Sequence, residues 1–255
     1  MLLCVDVGNT NIVFGMFADG QLRAKYRLAT DTARSADEIG VMLTRFYAHA
    51  GLLPEHTGEI IVGSVVPPVM YTLRRALAKY VGCPVRVPGE DMDTGLVNLC
   101  EEPLGIDRAV SGIAACELYG APVIVVDFGT ATKADAFNAK GEYMGGVICP
   151  GIKISMDALT ARAAMLPRVE IVKPRRVIGV NTVEQMQAGA VYGFVGGIER
   201  VVRQMCAEMG AQPPVVATGG LAGLIAAHTG VITKVDPDLT LHGLRIVSAR
   251  RKVGC

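Results

Sequence analysis

Two stretches of this 255-residue chain end an apolar run on the same polar pattern. The first is Leu2-Leu-Cys-Val-Asp6-Val-Gly8-Asn9-Thr10, and the second is Val123-Ile-Val-Val-Asp127-Phe-Gly129-Thr130-Ala-Thr132, about half the chain further on. Binding a polyphosphate calls for these residue types at this spacing. Glycine lets the backbone come close, because it has no Cβ. Asn9, Thr10, Asn11, Thr130 and Thr132 offer side-chain donors beside backbone N–H groups. A carboxylate at a strand end, Asp6 or Asp127, can hold the waters of a magnesium ion, which keeps most of its hydration shell. A single Asp-x-Gly is an ordinary turn; the paired occurrence is what points to phosphate chemistry.

Three further stretches have chemical content. Gly105-Ile106-Asp107-Arg108 puts a carboxylate and a guanidinium side by side. The carboxylate is a candidate base for an acceptor hydroxyl, and the guanidinium a candidate partner for an anionic acceptor or a transferring phosphate. Ala217-Thr218-Gly219-Gly220-Leu221 reads as a strand-to-helix turn able to lie against a base or ribose, and it is not a P-loop. Gly145-Gly146 through Pro150-Gly151 reads as a glycine-rich turn. Lys173-Pro-Arg-Arg176 reads as a solvated basic loop, and the four histidines form no cluster.

The elements that must position these residues repeat as well. Each apolar run predicts a buried central strand. After the first come Asn11–Phe17, an Asp19-Gly20 turn and Gln21–Leu28; after the second come Lys133–Phe137, a Lys140-Gly141 turn and Glu142–Ile148. Both sets read as three-stranded meanders. Helix and strand then alternate. Ser35–Gly51 is helical with Ser35 and Glu38 at capping-box spacing, followed by strand Glu59–Val65, helix Val69–Val81 and strand Pro84–Val87. Leu104–Tyr119 is a helix between the halves. The second half continues with helices Ile152–Ala164 and Val183–Met209, strand Val215–Ala217, helix Leu221–His228, strand Val231–Val235 and helix Leu239–Arg250. An α/β chain built from two such copies is the duplicated actin-like ATPase (ribonuclease H-like) fold, with lobes expected over 1–118 and 119–255.

Composition narrows the function classes. Hydrophobic residues make up 51% and mean hydropathy is +0.38, which excludes a disordered chain. A net charge of +1 with no Trp and 5% aromatics argues against nucleic acid as a partner. No apolar run has membrane-spanning length, and the N-terminus lacks a basic leader. Seven scattered cysteines without a CxxC pair read as reduced thiols of a cytoplasmic protein, with Cys255 incidental.

Taken together, the motifs resemble the type III pantothenate kinase family, whose members are also described as Bvg accessory factor homologues. The resemblance runs nearly end to end. It rests on Asp6-Val-Gly-Asn-Thr-Asn11, Gly63-Ser-Val-Val-Pro-Pro68, Gly105-Ile-Asp-Arg108, Asp127-Phe-Gly-Thr-Ala-Thr132, Gly145-Gly-Val-Ile-Cys-Pro-Gly151, Asn181-Thr182-Val-Glu184, Thr218-Gly-Gly-Leu-Ala222 and Asp236–Leu244. It implies ATP-dependent phosphorylation of pantothenate, the first step of coenzyme A synthesis, by a homodimer that uses magnesium or another divalent cation and potassium or ammonium. It implies ATP binding by Asp6, Val7, Gly8, Asn9, Thr10, Asn11, Ile12, Val13 and Thr130. It places pantothenate on Gly105, Ile106, Asp107, Arg108 and Thr182, with Asp107 as proton acceptor. It makes Asp127 a potassium ligand, which leaves Asp6 as the candidate for magnesium through water. The alternative from another class is an ATP-binding regulatory protein without kinase activity. Two positions depart from the family pattern: Asn98 stands where the family has a substrate-contacting Tyr, and Lys133 where it has Thr.

Overall fold

The computed structural model describes residues 1–250; Cys255 lies outside them. In chain order the elements are β1 (Leu2–Val7), β2 (Asn11–Ala18), β3 (Gln21–Ala29), α1 (Ala36–Ala50), β4 (Glu59–Ser64), α2 (Pro67–Tyr80), β5 (Val85–Arg86), α3 (Ile106–Tyr119), β6 (Val123–Phe128), β7 (Ala131–Phe137), β8 (Tyr143–Pro150), α4 (Ile152–Arg162), α5 (Thr182–Met209), β9 (Val215–Thr218), α6 (Ala222–Ala226), β10 (Lys234–Val235) and α7 (Leu239–Arg250). The strands form two mixed sheets, β3-β2-β1-β4-β5 and β8-β7-β6-β9-β10. The orders correspond strand for strand, with an antiparallel meander on one side of the central strand and a parallel partner on the other.

The chain forms two compact units. The first contains Met1–Leu96, Glu102–Ala114 and the segment beginning at Thr240; the second contains Val97–Glu101 and Ala115–Leu239. Helix α3 contributes to both, and α7 belongs with the first.

Local chemistry accounts for the element ends. Asp19 and Gly20 both have positive φ, 53° and 75°, as a tight hairpin turn matching the twist of its strands requires. Helix α1 opens on a complete capping box: Glu38 N–H donates to Ser35 Oγ, and Ser35 N–H donates to Glu38 Oε2 at 2.7 Å. It closes on Gly51 in the left-handed region. Pro67 and Pro68 begin α2, where a missing N–H costs nothing.

Alternation along the central strands divides their faces. In the first unit Leu3, Val5 and Val7 pack with Ile39, Leu43 and Tyr47 of α1 and Leu73 and Leu77 of α2. In the second, Ile124, Val126 and Phe128 pack with Val191, Val195 and Ile198 of α5 and Ile225 of α6. Asp6 and Asp127 therefore sit on the opposite, equivalent faces of their sheets. In the first unit α7 covers that face. Leu241 lies against Gly15, Leu244 against Gly63, and a Cβ on Gly243 would stand 2.0 Å from the Val110 carbonyl oxygen, so α7 crosses α3 at backbone contact. Ser111 and Thr240 share a hydrogen bond of 3.0 Å at this crossing.

Several expected boundaries move. Helix α3 starts at Ile106 rather than Leu104, because its first backbone bond runs from Ala109 N–H to the Gly105 carbonyl. The expected strand 231–235 is only Lys234–Val235, because the Thr233 hydroxyl bonds both the N–H and the carbonyl of Val215. Gly145 and Gly146 lie within β8 rather than in a turn, paired with Ala136 and Asp135 beside a register shift, and Gly145 has φ 134°.

Candidate functional site

Each Asp-x-Gly sequence forms the turn after a central strand, and the two turns are braced alike. In the first, Gly8 N–H donates to the Asn11 carbonyl at 2.9 Å, and Asn9 and Thr10 are exposed. Thr30, the residue after β3, donates its N–H to the Thr10 carbonyl at 3.0 Å and its hydroxyl to the Gly8 carbonyl at 2.6 Å. In the second, Gly129 N–H donates to the Ala131 carbonyl at 3.2 Å and Thr130 is exposed. Gly151, the residue after β8, donates its N–H to the Thr130 carbonyl at 3.1 Å. A Cβ on Gly151 would stand 2.2 Å from that carbonyl oxygen, so only glycine fits. Sequence reasoning passed over Thr30 and Gly151 as braces. Their equivalent places, directly after the third strand of each meander, were the available signal.

The side chains of the first stretch divide sharply. Val7 and Ile12 are core residues with 0% and 1% exposure, so only their backbone can meet a ligand. Asp6, Gly8 and Asn11 are partly exposed, as is Val13. Across the sheet Asp6 faces Val13 on β2 and Gly63 on β4. The space left by Gly63 is shared by Leu244 and Ile106, whose Cγ1 lies 3.9 Å from where a Cβ would be. This contact brings the start of α3 beside the Asp6 end of the first sheet, within one unit. Asp107 and Arg108, both partly exposed, occupy the first turn of α3, and Asp107 Oδ1 lies 3.0 Å from where a Gly105 Cβ would stand. The glycine of Gly105-Ile106-Asp107-Arg108 thus makes room for the carboxylate two residues on.

In the second unit Asp127 faces Lys133 on β7 and Thr218 on β9. Lys133 Nζ stands 3.0 Å from Asp127 Oδ2, with side chains 15% and 28% exposed. Gly219, at φ 92°, presses on the same carboxylate: a Cβ there would meet Asp127 Oδ1 at 2.6 Å and the Phe128 carbonyl carbon at 2.7 Å. Gly219 therefore has a structural reason independent of any nucleotide, whereas a Cβ on Gly220 would meet nothing within 4 Å. Thr182 opens α5, exposed, just after an Asn181 cap whose Oδ1 accepts from Glu184 N–H at 2.9 Å. Gly179 fits tightly against Glu184 and Gln185, which holds this helix start in place. Asn98 spends its Oδ1 on Cys100 N–H at 2.9 Å while its segment bonds the backbone of Tyr143 at the edge of β8.

Among the described residues no cluster of His, Cys, Asp and Glu forms a multi-ligand metal site, and no helix is long and apolar enough to cross a membrane. The first turn, with exposed donors over a glycine and a carboxylate beside it, fits a hydrated magnesium–nucleotide, which needs few direct protein ligands. The expected potassium ion fits poorly, because Lys133 already places a positive charge on Asp127.

Comparison with known proteins places the chain in a family. A family model for type III pantothenate kinase matches residues 2–204. The type III pantothenate kinase of Moorella thermoacetica (strain ATCC 39073 / JCM 9320) is 51% identical over 252 residues, covering 98% of this chain and 99% of that protein. Two solved structures share the fold. A Baf family transcriptional activator from Campylobacter jejuni matches at TM-score 0.62 and 19% identity, over 98% of both chains. A 2-dehydro-3-deoxygalactonokinase from Sinorhizobium meliloti matches at TM-score 0.61 and 14% identity, over 98% of this chain and 96% of that one. The twin sheets thus share the fold of these two structures.

Proposed function

Because the chain belongs to the type III pantothenate kinase family, we propose that it transfers the γ-phosphoryl group of ATP to the primary hydroxyl of pantothenate, giving 4′-phosphopantothenate for coenzyme A synthesis. The observation that carries this reading is the convergence, within the first unit, of the Asp6 strand end and the Gly105-Ile106-Asp107-Arg108 helix start at Gly63. A phosphate-binding turn alone would suit a regulatory nucleotide binder. The carboxylate and guanidinium beside it are what an acceptor hydroxyl requires.

In this reading Gly8, Asn9, Thr10 and Asn11 offer backbone and side-chain donors to the phosphates, and the family resemblance also gives Thr130 a part in binding ATP. Asp6 holds magnesium through water, and the ion, when bound, screens the charge that develops on the transferring group. Asp107 accepts the proton of the pantothenate hydroxyl as that oxygen attacks phosphorus. Arg108 pairs with the pantothenate carboxylate, and the family resemblance also gives Thr182 a part in binding pantothenate. The protein acts in the cytoplasm. ADP release in a coupled assay should rise with added pantothenate, and mass spectrometry should find the phosphorylated product. ATP hydrolysis indifferent to pantothenate would move the protein to the regulatory alternative.

The same reading makes the protein a homodimer. The apolar stripe of α5 is consumed by the chain's own core: Val191, Val195, Ile198 and Val202 are buried, with Phe194 and Val201 packed against them. What α5 leaves outward is a row of glycines. Gly189, Gly193, Gly196 and Gly197 are exposed, and a Cβ on any of them would meet nothing within 4 Å. In a monomer such glycines only weaken the helix, each by about 1 kcal/mol against alanine. Close approach of a second α5 would use them. Light scattering should give about twice the 26.9 kDa chain mass. Gly193→Leu, which clashes with nothing inside the chain, should give monomers of unchanged helicity. Mixing Asp107→Asn chains with Thr182→Val chains should restore activity if the partner's Thr182 completes the pocket. Monomeric mass at full activity would end the dimer reading.

A further inference from the structure

We propose that the ε-ammonium of Lys133 is a built-in replacement for the monovalent cation expected at Asp127, so that phosphoryl transfer by this protein is independent of potassium and ammonium. The proposal rests on the kinase reading for its catalytic consequence, while the cation site itself is a matter of structure. The antiparallel register of β6 and β7 sets Asp127 directly opposite Lys133, and side chains so paired stand on one face of a sheet at contact distance. Nζ reaches Oδ2 at 3.0 Å. With only 15% of its side chain exposed, Lys133 has exchanged most of its hydration for this carboxylate, which a charged group tolerates only when paired.

The rest of the carboxylate is crowded on one side and 28% of the side chain stays exposed. Oδ1 lies against Gly219, and both oxygens stand 3.4 Å from where a Gly129 Cβ would be. Thr218, the cross-strand neighbour on the other side, is 5% exposed. A potassium ion bound to the same carboxylate would have to sit within a few ångströms of the ammonium, and two like charges at that distance repel. Lysine ammonium and potassium carry the same charge and are both satisfied by oxygen donors. The exchange therefore preserves the local charge while tethering the cation to the chain, where its occupancy no longer depends on the salt present.

The duplicated half serves as an internal control. At Asp6 the corresponding cross-strand positions hold Val13 and Gly63, neither of them charged. Of the two equivalent carboxylates, the second has received a basic cross-strand partner. The two turns differ by one residue in length, four between Val7 and Ile12 and three between Phe128 and Thr132, so the register at Asp127 is set by its own turn and is not a copy of the first.

The test compares wild type with Lys133→Thr in KCl, NH4Cl and NaCl at constant ionic strength. Wild-type turnover should agree within about twofold across the three salts, whereas Lys133→Thr should be stimulated about tenfold or more by KCl or NH4Cl over NaCl, as expected when a fixed positive charge near transferring phosphate is removed and can be resupplied. A second readout needs no turnover. The melting temperature of Lys133→Thr should rise in KCl relative to NaCl by a few degrees through ligand linkage, and that of wild type should not. If Lys133→Thr is too unstable to handle, Lys133→Gln keeps the length of the stem and answers the same question. Wild type strongly activated or stabilised by potassium over sodium would overturn the proposal, as would a folded Lys133 variant with no response to potassium. Absence of pantothenate-dependent turnover in every salt would remove the kinase reading only, since the melting comparison still reports on the cation.

Discussion

Asp107→Asn lowers kcat by about 10²–10⁴ with ATP and pantothenate, the range that general-base catalysis contributes. The substitution keeps the shape of the side chain and removes its ability to take a proton. Asp107 lies in the first turn of α3, and this turn is anchored from three sides within the first unit. Ile106 sits in the space left by Gly63, Ala109 N–H donates to the Gly105 carbonyl, and Gly243 lets α7 press on the backbone at Val110. These packing and backbone contacts hold the turn with either Asp or Asn at position 107. The variant should therefore fold normally, with an unchanged circular dichroism spectrum and melting temperature. KM for ATP should stay near wild type, because the phosphate-binding turn is a separate segment. A folded Asp107→Asn protein turning over at close to the wild-type rate would remove Asp107 from the role of base.

Gly219→Ala destabilises the protein by about 3 kcal/mol or more, the sum of a non-glycine residue forced to positive φ and a methyl group driven into packed backbone. Both terms are specific to this position. The φ of 92° is one that L-residues rarely adopt. The added Cβ would meet Asp127 Oδ1 at 2.6 Å and the Phe128 carbonyl oxygen at 2.7 Å; the carboxylate can swing aside, but the Phe128 carbonyl is backbone of a central strand and cannot yield as cheaply. For a chain of this size the melting temperature should fall by roughly 6–12 °C. Gly220→Ala serves as the control, since a Cβ there meets nothing within 4 Å. Equal melting temperatures for the two variants would show that the crowding at Asp127 is relieved without cost. The displaced carboxylate should also loosen its pair with Lys133, so Gly219→Ala should show more salt sensitivity than the control.

Much of this architecture was legible in the residues, and for identifiable reasons. The runs before Asp6 and Asp127 are short, apolar and closed by glycine, which marks buried central strands wherever they occur. Asp19-Gly20 supplies the two positive φ angles of a hairpin turn, and Ser35 with Glu38 supplies a capping box; both structures are made within a few residues and need no distant partner. The repeat itself is a property of sequence, and so are the motifs Asp6–Asn11, Gly105–Arg108 and Asp127–Thr132 on which the family resemblance rests.

What depended on contacts between distant segments stayed hidden. Periodicity shows that the side chains of α5 form an apolar stripe, but whether that stripe faces its own sheet or a partner is a matter of packing; Val191, Val195 and Ile198 turn out to fill the second unit's core. The last helix follows the second half in sequence, yet Leu241, Gly243 and Leu244 pack it into the first unit, since the surface it covers there is built by β2, β4 and α3. Thr30 and Gly151 brace turns some 20 residues upstream through backbone bonds that no local propensity encodes. Lys133 shows the division most clearly. Sequence alone determined that a lysine replaces the family's threonine, and alternation says only that it shares a face with every second neighbour on its strand. Which residue it meets depends on the register between strands, set by the length of the turn from Phe128 to Thr132 and by the pairing of β6 with β7. Only the tertiary structure, by closing that register, brought its ammonium onto Asp127.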